Sequence, residues 1–180
     1  MQFEDTALKD VVCIHLEPAE DARGFFARAW CRREMSDQGL EADVAQCNLS
    51  YNRRKGTIRG LHFQKAPFAE VKYVRCIRGA VYDVVVDLRS ASPTYLKWIG
   101  IELSAENRTM LYVPKGFAHG FQTLCDDTEL FYQVSTFYTP SSEGGIRWND
   151  PFLNIQWPHP TAPIVSPKDR SWPDFAAGTS

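Results

Sequence analysis

The sequence predicts an all-β fold, a sandwich or barrel with short peripheral helices. Three observations predict it: short apolar-alternating segments recur along the chain, Gly, Pro, Asn and Asp interrupt them regularly, and only one stretch has helical character. The N-terminal strands and those around Trp148 are expected to close opposite edges of the sheet. AWCRREMSDQGL, residues 29–40, is the helical stretch, with Gly39 as its stop. KYVRCI and the following GAVYDVVVDLR predict a hairpin turning at Arg78 and Gly79. In the second strand Ala80, Tyr82, Val84, Val86 and Leu88 share one face, and Asp83, Asp87 and Arg89 the other. LKWIGIEL, TMLYVP, GFQTL and ELFYQVSTFY predict further strands. The tail TAPIVSPKDRSWPDF is Pro-rich and irregular, and reads equally as a surface wrap or as a segment that returns across the barrel mouth.

The 180 residues suit one domain with a full-sized core, and no repeat or linker divides them. A net charge of −2 gives no global basic field, so neither nucleic acid nor a membrane surface is an expected partner. The start, MQFEDTALKD, lacks the pattern of a signal peptide. Cys13, Cys31, Cys47, Cys76 and Cys125 are an odd, scattered set without a CxxC pair, which suggests a reduced, cytoplasmic compartment.

Four histidines are present: His15, His62, His119 and His159. His62 (IRGLHFQ) and His119 (PKGFAHGFQ) lie in strand-like sequence beside glycines, where backbone can approach a ligand closely. Gln64 stands where an H-x-H metal pattern needs its second histidine, so no metal is expected. No Walker loop or GxGxxG exists, so neither nucleotide hydrolysis nor a nicotinamide cofactor is indicated. A metal-free histidine suits general-base chemistry, and needs an orienting carboxylate and a partner acid. Asp83, Asp87, Asp169 and Glu143 are the candidate carboxylates, and the tyrosines of ELFYQVSTFY the candidate acids. In an extended segment Tyr132, Val134 and Tyr138 share a face, with the two rings roughly 20 Å apart. Arg53, Arg54 and Lys55 read as a solvated turn; Arg59, Lys72 and Arg23 are candidate anion ligands.

Together, DARGFFARAW, QCNLS, GTIRGLHFQ, AEVKYVRCIRGAVYDVVVDLR, LSAEN, VPKGFAHGFQTL, YQVSTFYTPSSEGGIRWNDP and IVSPKDR resemble the dTDP-4-dehydrorhamnose 3,5-epimerase family, in the family's order. The resemblance implies a cupin-type double-stranded β-helix (jelly roll), usually a homodimer, without metal or redox cofactor. It implies that His62 is the base, Asp169 its orienting partner, Tyr132 the acid and Lys72 the group that stabilises an enolate. Arg59 and Arg23 would hold the diphosphate, with His119, Glu143 and Lys168 completing the site. Tyr138 would stack on the nucleotide base, and Gln46 and Asn48 would contact the nucleotide. The implied substrate is a nucleotide-linked 4-keto-6-deoxyhexose inverted at C3, C5 or both. A one-centre epimerase, a keto-isomerase, a non-catalytic sugar-nucleotide binder and a metal-dependent cupin oxygenase are the competing readings.

Two departures stand out. Arg28 occupies a position commonly Glu in the family, and Cys47 and Leu49 replace the common Asp and His. A Glu accepts from thymine N3–H, whereas Arg only donates. The expectation is therefore a nucleotide other than dTDP, with CDP first.

Overall fold

The computed structural model describes residues 1–175. Within them the alternating segments form strands β1 (Gln2–Asp5), β2 (Val12–His15), β3 (Ala19–Asp21), β4 (Gly24–Phe26), β5 (Gln46–Asn52), β6 (Thr57–Gln64) and β7 (Lys72–Arg78). The series continues with β8 (Ala80–Asp87), β9 (Trp98–Ser104), β10 (Met110–Val113), β11 (Phe117–Thr123), β12 (Thr128–Val134), β13 (Glu143–Gly145) and β14 (Ile164–Val165). Helices α1 (Arg32–Asp37) and α2 (Pro167–Arg170) are short. Two sheets, β1-β2-β10-β7-β12-β5 and β13-β6-β11-β8-β9, pair antiparallel along these orders; β14 joins β6 in parallel, and β3 and β4 form a separate hairpin. This is the cupin-type jelly roll that the resemblance implies. Among the described residues no helix is long and apolar enough to cross a membrane.

Three apolar layers follow from the alternation. The first packs between the sheets: Val74, Cys76, Val81, Val85, Leu111, Phe117, Phe121 and Leu130. A second covers the outer face of the β6–β11–β8 sheet, where Ile146, Leu153, Ile155, Trp157 and Val165 of the C-terminal stretch meet Ile58, Leu61, Val84 and Val86. The third puts Met35 of α1 and Ala42 against Val12, Ile14, Tyr73 and Tyr112. Strand β8 is thus buried on both faces, and its acidic face lies between the sheets, away from solvent.

The predicted hairpin of KYVRCI with GAVYDVVVDLR does not form. Strand β7 pairs with β10 and β12, whereas β8 pairs with β9 and β11. The chain passes from one sheet to the other at Gly79, whose φ of 74° lies in the left-handed region. Both strands carry apolar residues on both faces, and the crossing gives each a central place in its own sheet. The helix is shorter than predicted, but Gly39 does follow it with φ 72°. β1 and β13 end different sheets, not one.

Candidate active site

A cavity of about 400 Å³ opens at one end of the sandwich, lined by Gln46, Asn48, His62, Gln64, Glu70, Lys72, Tyr132, Tyr138 and Glu143. A second, of about 340 Å³, shares His62, Lys72 and Tyr132 with it and adds Ser50, Arg59 and His119. Strand parity explains most of this lining. Gln46, Asn48 and Ser50 alternate along β5, Lys72 and Val74 along β7, and Leu130, Tyr132 and Val134 along β12.

Strand β6 breaks parity. Arg59 and His62 are three residues apart and both line the cavities, while Ile58 and Leu61 both face the outer core. The register of β11 against β6 shifts between His119 and Phe121, which supplies the missing residue of phase. Gly60 sits at the shift with φ 122°, and a Cβ there would lie 2.9 Å from the His119 carbonyl oxygen. Beyond it, His119 and His62 are cross-strand partners, so both imidazoles project from the same face.

The tail builds the dyad. β14 pairs with the start of β6, and α2 follows at once, with Ser166 Oγ accepting from the Asp169 backbone N–H at 3.0 Å. Asp169 Oδ1 lies 2.6 Å from His62 Nε2; the carboxylate is 5% exposed and the imidazole 33%. With Nε2 donating to Asp169, Nδ1 is the nitrogen that carries the lone pair. Burial alone would raise the Asp169 pKa, but the His62 bond and charge, the Gly60 N–H and the Ser166 hydroxyl outweigh it and hold the carboxyl below its ordinary value. Trp172 packs edgewise on His62, with ring centroids 6.4 Å apart.

The other candidate carboxylates have different partners. Asp83, fully buried, takes His119 Nε2 on both oxygens at 2.9 Å, and burial pushes its pKa up against that pairing. Asp87 is clamped by Arg89, Ser92 and Thr94, away from the cavities. Glu143 accepts from Lys168 Nζ at 2.6 and 2.7 Å and from the Tyr138 hydroxyl at 2.9 Å, which ties the tail to the rim. Arg59 Nε donates to Asn52 Oδ1 at 2.7 Å. Burial raises the Tyr132 pKa, helped by the charge of Glu70 and opposed by Arg59. Tyr138 lies beyond the end of β12, where the chain bends, so the continuous-strand spacing between the two tyrosines does not apply; both still line one cavity.

Two sequence-predicted residues lie elsewhere. Arg23, at the β3–β4 turn, pairs with Asp21, and Arg28 pairs with Glu34. Neither lines either of the two cavities described above. Cys47 is exposed on the opposite side of β5 from Gln46 and Asn48, while Leu49 reaches the second cavity. Sequence reasoning passed over Glu70, Ser50 and Trp172. The first two share strand parity with Lys72 and Asn48, and that parity was the available signal. Ser50 Oγ is buried without a partner. Among the described residues no group of three or more His, Cys, Asp or Glu side chains could hold a metal ion.

The profile of the family described as dTDP-4-dehydrorhamnose 3,5-epimerase matches residues 5–177. A protein of that name from Sinorhizobium fredii is 45% identical over 97% of this chain and 90% of its own length. The crystal structure of the enzyme of that name from Bacillus anthracis, with TDP and pyrophosphate bound, superposes with a TM-score of 0.93 at 43% identity, covering 97% of this chain and 99% of its own. The Legionella pneumophila 3,5-epimerase, in complex with dTDP-4-keto-L-rhamnose, gives 0.88 at 34% identity, covering 98% and 99%.

Proposed function

The chain belongs to the dTDP-4-dehydrorhamnose 3,5-epimerase family of carbohydrate epimerases, and on that premise we propose that His62 and Tyr132 invert C3 and C5 of its nucleotide-linked 4-keto-6-deoxyhexose by proton transfer through a C4 enolate. The observation that carries this reading is His62, backed by Asp169, in one cavity with Tyr132 and Lys72. A C4 ketone acidifies the protons on C3 and C5. Nδ1 of His62 takes one of them, the C–H electron pair moves onto the C4 oxygen, and the buried Asp169 carboxylate stabilises the resulting imidazolium. The Lys72 ammonium meets the charge where it develops, on C4 oxygen. Tyr132, kept protonated by burial, gives its hydroxyl proton to the opposite face of the carbon and inverts it. Once the His62 imidazolium has released its proton to water and the Tyr132 phenolate has regained one, the same pair serves the second centre when the sugar presents its other α-carbon. No electron is transferred, so the chemistry requires no redox cofactor.

Gln46, Asn48 and Arg59 line the approach from the rim and suit the nucleotide and its diphosphate. Arg23 belongs to the same task only if a second copy brings its hairpin over, because in its own chain it stands off the cavity. The proposed working unit is therefore a homodimer of single-domain chains. The hairpin's exposed Phe26, 75% accessible, and Leu49 on edge strand β5, 66% accessible, are suited to a subunit contact.

The test is deuterium entry at C3 and C5, followed by NMR in D₂O with dTDP-4-keto-6-deoxyglucose and then its CDP counterpart. Entry at both carbons supports a 3,5-epimerase, and entry at one makes it a single-centre enzyme. A second reading on the nucleotide rests on Arg28, a donor that would meet the thymine donor only if, like Arg23, it acts from a second copy, because in its own chain it pairs with Glu34. It expects faster exchange with the CDP sugar, and equal rates would end it.

A further inference from the structure

The cavity wall holds a carboxylate that the proton-transfer scheme does not use. Glu70 precedes Lys72, the first residue of β7, by two residues, and both line the first cavity. Their side chains are 10% and 12% exposed, and they pair with each other. Glu70 Oε2 also accepts from Gln64 Nε2 at 3.1 Å. Gln64 is itself fixed, donating to the Phe68 carbonyl at 3.1 Å and accepting from the Thr139 N–H at 2.6 Å. The carboxylate is thus held by the wall on one side and by the lysine on the other.

Stability gives little reason for such a pair. Desolvating two charges is costly, and apolar packing of similar volume is often no worse. A lysine stem has four rotatable bonds, and an ammonium without an anchor would spread over the cavity. Resting on the proton-transfer reading above, we propose that Glu70 is a positioning residue: it holds one of the three Lys72 N–H donors and thereby aims the other two at the C4 oxygen of the substrate. Its charge also faces Tyr132. The charged and titratable groups that line the two cavities with Tyr132 are Glu70 and Lys72 from β7 and its approach, Arg59 and His62 from β6, His119 from β11, Tyr138 beyond β12 and Glu143 from β13. After burial, Glu70 contributes most to keeping Tyr132 protonated.

The experiment compares wild type, Glu70→Gln, Glu70→Asp and Lys72→Met by kcat, KM and pH–rate profile, with thermal unfolding to establish folding. Glu70→Gln keeps the size and the neighbouring amide but loses the charge. Its kcat is expected to fall about 10- to 100-fold with KM within about twofold, and its alkaline limb to move to lower pH. Glu70→Asp is expected to recover part of kcat and to restore the limb. A folded Glu70→Gln enzyme with wild-type kcat and an unmoved limb overturns the proposal while Lys72→Met is still slow. A wild-type enzyme that exchanges no substrate proton overturns the proton-transfer reading instead.

Discussion

Asp169 and Asp87 are buried carboxylates of one chain with different partners, His62 for the first and Arg89 for the second. Asp169 accepts from His62, so Asp169→Asn is expected to lower kcat by about 10²-fold with little change in KM, measured at saturating substrate. Asp87 lies outside the cavities and is a stability residue. Burial alone would raise its pKa, but Arg89, Ser92 and Thr94 bring it down to about 2. A depressed carboxylate stabilises the fold above its unfolded value and loses that contribution as pH falls toward 2. Asp87→Asn is therefore expected to cost about 2 kcal/mol at pH 7, and the gap from wild type to close in urea melts below about pH 3. Tyr132 shifts the other way, and the alkaline limb of kcat is expected above the ordinary tyrosine value of about 10. At this scale the sequence identified which residue types matter but only one of their pairings. Residue chemistry alone leaves four carboxylates open for one histidine and the family resemblance singles out Asp169; the path of the tail brings Asp169 to His62, and the sheet register gives Asp83 to His119.

The elements turn those residues into a site through small irregularities. The phase shift at Gly60 lets Arg59 and His62 face inward together, and Gly60→Ala would set a Cβ against the β11 backbone. It is expected to abolish activity and lower the melting temperature together. A milder change separates the two effects. Ser166→Ala removes the cap of α2, and is expected to cost about 1 kcal/mol locally and to slow turnover more than it lowers overall stability, as hydrogen exchange of residues 166–170 would report. Alternation in the sequence makes β8, β11 and β12 legible. It could not reveal the shift in β6, nor that β7 and β8 belong to different sheets, because both faces of each strand are apolar and a two-residue turn suits hairpin and crossing alike. The spacing of roughly 20 Å that a continuous strand gives Tyr132 and Tyr138 fails, since β12 stops at Val134 and the bend beyond it carries the Tyr138 ring to the cavity.

At the scale of the molecule, the jelly roll supplies a cavity whose walls come from both sheets and whose rim is closed by the tail. The alternating pattern made an all-β sandwich legible, and the ordered motifs made the family legible. Subunit arrangement was not legible, because Arg23 gives no sign within one chain of where it acts. If it reaches a partner's cavity, mixing inactive Arg23→Ala with inactive His62→Ala chains regenerates one intact site in each mixed dimer. Activity is then expected to return to about a quarter of wild type after subunit exchange, whereas action within one chain returns none.

Two groups that work on opposite faces of one carbon leave different products when either is removed. The most direct measurement follows deuterium entry and configuration together at C3 and C5 in D₂O, for wild type, His62→Ala and Tyr132→Phe. The expected result is exchange with inversion for wild type, neither for His62→Ala, and slow exchange with retention for Tyr132→Phe, whose His62 can only return a deuteron to the face it came from. Inversion by Tyr132→Phe at the wild-type rate, or exchange by His62→Ala at that rate, would contradict it.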